Sequence, residues 1–151
     1  MIRVNMLQPI YLTKALLPIL LSRQTPSAIV LTSSVISHVA APGIGIYSST
    51  KAAVATFTEA LHYETKGKVD IMSWDCGSVS TKLNTFEQGF RTSTRTAVKG
   101  CLKDVSRGRR TFGCWQSDLE GMSTPLMPNW LKRVLLLNEA QSQFEASKKL
   151  A

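Results

Sequence analysis

The 151 residues predict an α/β fold built on a short parallel sheet. Helical stretches with wide apolar faces alternate with short runs rich in β-branched residues, in the order helix, strand, helix, strand, helix, strand. The two clearest runs each end in a loop of small and polar residues, and open α/β sheets bind ligands at such carboxyl ends. Apolar residues make up 44% of the chain and charged residues 19%, which is enough to build a packed core.

Val4 to Ser22 reads as the first helix, with Met6, Ile10, Leu16, Leu17 and Leu21 on a wide apolar face. Pro18 lies inside it and is expected to bend or interrupt it. Thr25-Pro26-Ser27 is a turn. Ala28-Ile29-Val30-Leu31-Thr32 is a continuous apolar run of the kind buried on both faces of a sheet. Ser33 to Gly45 is a loop, and Tyr47 to Thr65 is the second helix, stopped before Gly67. Val69 to Trp74 is the second strand and Cys76 to Phe90 a long loop. Thr94 to Ser106 is the third helix, with Arg95, Lys99 and Lys103 as a basic outer stripe and Val98, Leu102 and Val105 expected inside. Arg110 to Cys114 is a third short strand, and Met127 to Leu150 a helical tail behind Pro125 and Pro128. The expected division is a domain portion over residues 1–123 and a tail over 124–151.

The chain carries 18 Lys+Arg against 10 Asp+Glu, net +8, with most of the excess beyond Cys76. A solvated helix face accounts for the basic stripe; attraction to phosphates or to an anionic membrane surface is the functional reading. No helix-turn-helix signature, zinc ligand set or aromatic RNA-binding motif accompanies the charge, which speaks against nucleic acid as a partner. Cys76, Cys101 and Cys114 are odd in number and lack a C-x-x-C pair. That argues against a disulfide scaffold or a metal site, and for a reducing compartment. The most apolar stretch, Met6 to Leu21, carries Lys14 and two prolines and is not read as a membrane span.

The residues that carry chemistry lie at the start of the second helix. Tyr47 and Lys51 are four apart and share a helix face. A cation about 4 Å from a phenol, at an effective dielectric near 20, is worth about 4 kcal/mol. That corresponds to a fall of roughly 3 in pKa, bringing Tyr47 near neutral and making it a general acid–base group. Thirteen residues ahead of Tyr47, Ser34 ends the apolar run; Ser33 is the alternative serine.

Ser34 followed by Tyr47-Ser48-Ser49-Thr50-Lys51 resembles the short-chain dehydrogenase/reductase family. The resemblance implies that Tyr47 is the acid/base, that Lys51 lowers its pKa and holds a nicotinamide ribose, and that Ser34 hydrogen-bonds the substrate oxygen. Val4-Asn5 is similar to the family's V-N pair, whose Asn supports a proton-relay water, so Asn5 joins the catalytic set. Cys76-Gly77-Ser78-Val79-Ser80-Thr81 is similar to the family's P-G-x-V-x-T loop, with Cys76 in place of the proline. Gly77, Val79 and Thr81 are thereby implied beside Tyr47 and Lys51 in cofactor binding, with NADPH favoured over NADH.

Within the family the likeness is to the very-long-chain 3-oxoacyl-CoA reductases and related hydroxysteroid dehydrogenases of the endoplasmic reticulum. It rests on Ala60-Leu61-His62-Tyr63-Glu64, Ser80-Thr81-Lys82-Leu83 and Met127-Pro128-Asn129-Trp130-Leu131. That implies an acyl-CoA or steroid-like carbonyl substrate and a place on the cytosolic face of the endoplasmic reticulum membrane. Lys148-Lys149-Leu150-Ala151 fits a dilysine retrieval signal. No Gly-rich strand-to-helix turn for a cofactor pyrophosphate occurs, and Gly43-Ile44-Gly45 follows the wrong strand. The expectation is therefore a partial Rossmann fold with its N-terminal cofactor-binding half absent. Self-association, or pairing with a full-length relative, is expected through the helices over 5–22 and 47–65. The alternative function is an inactive fragment that acts only as such a partner.

Overall fold

A computed structural model describes residues 1–40, 42–65, 67–81, 91–128, 130–132, 134 and 137. Its elements are a π-helical turn Arg3–Leu7, α1 (Gln8–Leu21), β1 (Ala28–Thr32), a 3-10 turn Val35–His38, α2 (Gly45–Thr65), β2 (Asp70–Trp74), β3 (Val79–Ser80), β4 (Thr92–Ser93), α3 (Thr94–Asp104), β5 (Arg110–Thr111) and α4 (Trp115–Leu126). The main sheet has the order β1-β2-β5 and is parallel throughout, with Ala28 opposite Asp70 and Trp74 opposite Thr111. This is the α/β architecture that the alternating pattern predicts.

β2 is the central strand, and Ile71, Met72 and Ser73 are all buried. β1 was expected to be covered on both faces, but only Leu31 is buried there. The reason is its place at the edge of the described sheet, where β2 is its one neighbour. Leu61, Val69 and Ile71 form the core, and Leu17, Leu20, Ile29 and Phe57 pack against it. α1 and α2 thus cover one face of the sheet.

Pro18 does not break α1, which continues to Leu21. Pro18 and Lys14 are both exposed, so the carbonyl left without its helical N–H faces solvent. By length and composition alone the Arg3–Leu21 stretch is apolar enough to cross a bilayer, a property its sequence was not read as having. In the fold Leu17 and Leu20 lie against the core, while Tyr11, Leu12, Leu16 and Ile19 face outward.

α2 buries a row of small hydroxyl residues, Ser48, Thr50, Thr58 and Thr65. Each hydroxyl donates to a carbonyl one turn back, for example Thr58 Oγ1 to Val54 O at 2.7 Å. The helix therefore packs closely without stranding a polar group. It stops before Gly67, whose φ of +78° is open to glycine.

The expected loop over 76–90 contains β3, which pairs in parallel with β4; residues 82–90, including Lys82 and Leu83, lie outside the described residues. α3 is turned from its expected orientation. Ala97 and Cys101 are buried, whereas Leu102 is 64% exposed and Val98 also faces out, beside Arg95, Lys99 and Lys103. Small residues win the inner face because α3 rests on the turn after β5. A Cβ at Gly100 would strike the carbonyl oxygen of Gly113. α4 was not anticipated, and it runs across position 123, where the expected division fell. Most of the expected tail, with Lys148 to Ala151, lies outside the described residues.

Gly100→Ala should improve helix propensity by about 1 kcal/mol and yet destabilise the protein by about 1–3 kcal/mol, because overpacking against backbone outweighs it. Urea unfolding checks this, with Gly45→Ala, which has open space around it, as the neutral control.

Candidate active site

The site forms where β1 ends. Ser33 N donates to Trp74 O at 2.8 Å and Val35 N to Cys76 O at 3.2 Å, so the strand pairing extends two steps past Thr32. Side chains alternate in direction along this extended backbone, and the two serines take different partners. Ser33 is 1% exposed, and its Oγ donates to Lys51 O at 2.9 Å. Ser34 has extended backbone and caps the 3-10 turn, with its Oγ accepting from Ile36 N at 3.4 Å. Its hydroxyl also hydrogen-bonds the Tyr47 side chain. Of the two serines left open by the sequence, Ser34 is the one at the phenol.

Lys51 reaches back to the strand, and its Nζ donates to Thr32 O at 3.0 Å. The ammonium stands 5.7 Å from the centre of the Tyr47 ring, over its face. Burial pushes the Tyr47 phenol above its ordinary 10, against the lowering by the Ser34 hydrogen bond, and the nearby Cys76 raises it further. This corrects the expected direction. The ammonium is held by a carbonyl and lies over the ring, so the 4 Å attraction assumed from the helix spacing is not realised. Burial in turn lowers Lys51.

The remaining sequence candidates divide. Asn5 sits in the π-helical turn, a local departure frequent at functional sites, and that turn packs against α2. Among the described residues no hydrogen bond joins its side chain to Tyr47 or Lys51. Gly77 follows β2 and lies tight against α4, where a Cβ would strike Ser117 Oγ. Val79 lies in β3, opposite Thr92, and Thr81 is exposed one residue beyond that strand. Thus Ser34, Tyr47 and Lys51 form one cluster, and the loop with Gly77, Val79 and Thr81 leaves the same end of the sheet.

Sequence reasoning missed two features. Cys76 belongs to the electrostatic surroundings of both Tyr47 and Lys51. Asp75, beside it, is fully buried in contact with His38 and Arg110. An acidic residue directly after β2, whose Ile71, Met72 and Ser73 are buried, was the available signal. No group of three or more possible metal ligands occurs among the described residues.

Burial pushes the Cys76 thiol up to about 11, with Cys114 and Cys101 adding to the rise. Against a thiol of pKa 9, the reactive thiolate at neutral pH falls roughly a hundredfold. Mass-spectrometric mapping after iodoacetamide treatment should therefore find Cys76 labelled far more slowly in the folded protein than in urea. Equal rates would contradict the burial.

The short chain dehydrogenase family model matches residues 1–90. The very-long-chain 3-oxoacyl-CoA reductase of Mus musculus is 30% identical over 145 residues, covering 94% of this chain and 46% of that protein. The Homo sapiens protein of that name is 31% identical with the same coverage, and the Bos taurus one is 33% identical over 134 residues, covering 87% and 43%. The chain thus spans less than half the length of these relatives. Among solved structures, a short chain dehydrogenase from Burkholderia cenocepacia in complex with NADP superposes with a TM-score of 0.69 at 23% identity, covering 80% of this chain and 52% of that one. A 7beta-hydroxysteroid dehydrogenase superposes with a TM-score of 0.67 at 22% identity, covering 78% and 48%. Those two support the fold, which is the Rossmann-like arrangement expected. With the family model matching more than half of its residues, the chain belongs to the short-chain dehydrogenase family.

Proposed function

We propose that the chain carries the acid–base half of an NAD(P)-dependent oxidoreductase that reduces a 3-oxoacyl-CoA or steroid-like carbonyl to its alcohol. The observation that carries this reading is the cluster of Ser34, Tyr47 and Lys51 at the carboxyl end of a parallel strand. The names of the relatives support the acyl-CoA class, and the NADP-bound structural relative supports the cofactor.

The donor set fits the ribose end of a nicotinamide nucleotide. Lys51 Nζ commits one hydrogen bond to Thr32 O and has further N–H groups to give, and Gly77 and Thr81 leave the same end of the sheet. The hydride is what the reduced nicotinamide supplies when bound. Ser34 donates a hydrogen bond to the substrate carbonyl oxygen and steadies the negative charge that develops there. Tyr47 gives its proton to that oxygen. With the phenol raised above its ordinary value, Tyr47 holds at neutral pH the proton it donates. Asn5, on the turn against α2, completes the set as support for a proton-relay water. NADPH is the preferred form, as the family resemblance implies.

The reading extends to the cytosolic face of the endoplasmic reticulum membrane, with Lys148 to Ala151 as the retrieval signal. The outward Trp115, Leu119, Met122 and Leu126 of α4 support contact with a lipid surface.

NADPH should quench the tryptophan fluorescence saturably, and Tyr47→Phe should lower carbonyl reduction by about 10²–10⁴-fold. The loss of reduction that follows from deprotonation of Tyr47 should come at a higher pH than the ordinary phenol range, because burial raises that group. Absence of NADPH binding at millimolar concentration, or full turnover by Tyr47→Phe, would overturn the assignment.

A second reading, a non-catalytic partner, draws on the exposed apolar face of α1, Tyr11, Leu12, Leu16 and Ile19. Both readings expect self-association through α1 and α2. Sedimentation should show a dimer that Leu16→Glu dissociates, and a monodisperse wild-type monomer would contradict it.

A further inference from the structure

We propose that Asp75 and His38 form a clasp that positions Ser34, the buried carboxylate holding the far end of the turn that Ser34 begins. The proposal rests on the reading of Ser34 and Tyr47 as a working pair.

Asp75 is 0% exposed. A carboxylate is costly to bury unless its oxygens are satisfied, and a merely space-filling role at this strand end would be met by an apolar residue. Here both oxygens are used. Ser73 Oγ donates to Oδ1 at 2.7 Å, while His38 Nε2 lies 2.8 Å and Arg110 Nε 3.2 Å from Oδ2. One side chain thereby joins β2, the 3-10 turn and β5. Asp75 N donates to Thr111 O at 2.8 Å, so the carboxylate is carried on backbone that is itself tied down.

The turn packs against α2 and α4, but its hydrogen bonds are few. Internally it has Ser37 N to Ser34 O at 2.9 Å and Val39 N to Ile36 O at 3.3 Å, together with the long Ile36 N to Ser34 Oγ contact at 3.4 Å. Its start is tied to the sheet by Val35 N to Cys76 O at 3.2 Å. Its end is tied by the 2.8 Å His38–Asp75 contact, the shorter of the two tethers. Ser34 lies at the head of the segment between them, and the orientation of its hydroxyl follows the turn. Releasing His38 loosens the far end of the turn, leaving packing against α2 and α4 without the polar tether that fixes the hydroxyl toward Tyr47. Asp75 and His38 touch neither the phenol nor Lys51 in this arrangement, so they act through Ser34 as positioning residues.

The experiment reads the phenol and does not depend on turnover. The full chain, labelled at the tyrosine ring ζ carbon, is titrated by NMR, and the Tyr47 signal is assigned with Tyr47→Phe. Lys51 from α2 and Cys76 after β2 also face the phenol and are left unchanged in every variant. Because the Ser34 hydrogen bond lowers the phenol, Ser34→Ala should raise its midpoint by roughly half a pH unit or more. His38→Ala should raise it likewise, the double variant should add nothing to Ser34→Ala, and His38→Gln, whose amide can donate to Asp75, should restore part of the wild-type value. His38→Ala leaves Asp75 with Ser73 and Arg110, so no unpaired buried charge is created. At neutral pH the Ser37 and Val39 amides should exchange at least about tenfold faster in His38→Ala, with β2 unchanged. If Ser34→Ala moves the midpoint and His38→Ala does not, or if the exchange is unaltered, the clasp is overturned and the catalytic pair stands. If Ser34→Ala leaves the midpoint in place, the pair and the clasp fall together.

Discussion

The site depends on a reciprocal exchange of hydrogen bonds between a strand end and a helix. Lys51 Nζ donates to Thr32 O, and Ser33 Oγ donates to Lys51 O. The helix side chain thus holds the strand backbone, and the strand side chain holds the helix backbone. Ser33 is buried, so its bond has no water to compete with. With both in place, the first turns of α2 cannot slide along β1. Tyr47, one turn ahead of Lys51, is then carried to Ser34, one residue beyond Ser33. The serine most closely bound to the helix is not the one at the phenol, but it sets the distance for the one that is.

That arrangement decides the electrostatics. A lysine free to approach a phenol oxygen would draw its proton off. This lysine is held by a carbonyl and lies over the ring, where its charge meets the π face. Burial therefore dominates at Tyr47, as it does at Lys51 and Cys76, and all three move toward their neutral forms. A site that disfavours charge keeps the phenol as an acid. The same low polarity strengthens the hydrogen bond from Ser34, which pulls the phenol back toward its ordinary value.

The fold was legible where periodicity or spacing carried it. The apolar run Ala28 to Thr32 is β1 to the residue, and Tyr47 and Lys51 share a face because any helix puts i and i+4 together. Gly67 ended α2 as a residue open to positive φ. What failed was the inference from apolar to buried. Leu102 faces out and Ala97 and Cys101 face in, because the surface available to α3 is the backbone at Gly113, which admits small side chains alone. α4 is more extreme: Ser117 and Gly121 are buried while Trp115, Leu119, Met122 and Leu126 are exposed. A hydrophobic pattern predicts which face wants burial, not which face a neighbour requires. The site suffered the same limit. Spacing supplied the Tyr47–Lys51 pair, but where the ammonium goes is decided by a carbonyl nineteen residues away in sequence.

The inward face of α4 explains why that inversion matters to the site. Gly77 leaves β2 and passes so close to Ser117 that no side chain fits between them, and Glu120 lies beside it. Ser117 Oγ also lies 3.2 Å from Cys114 Sγ at the head of the helix. Phe112 packs as tightly on Gly121 one turn further along. Two glycine contacts, one from the loop and one from the helix, therefore fix α4 against both the segment after β2 and the segment after β5. Close packing of this kind transmits displacement, since neither backbone can yield without the other. The loop bearing Gly77 also receives Val35 N through Cys76 O, and so the position of α4 is linked to the turn that Ser34 begins. A helix whose outer face is apolar and exposed is in this way mechanically continuous with the residues at the phenol.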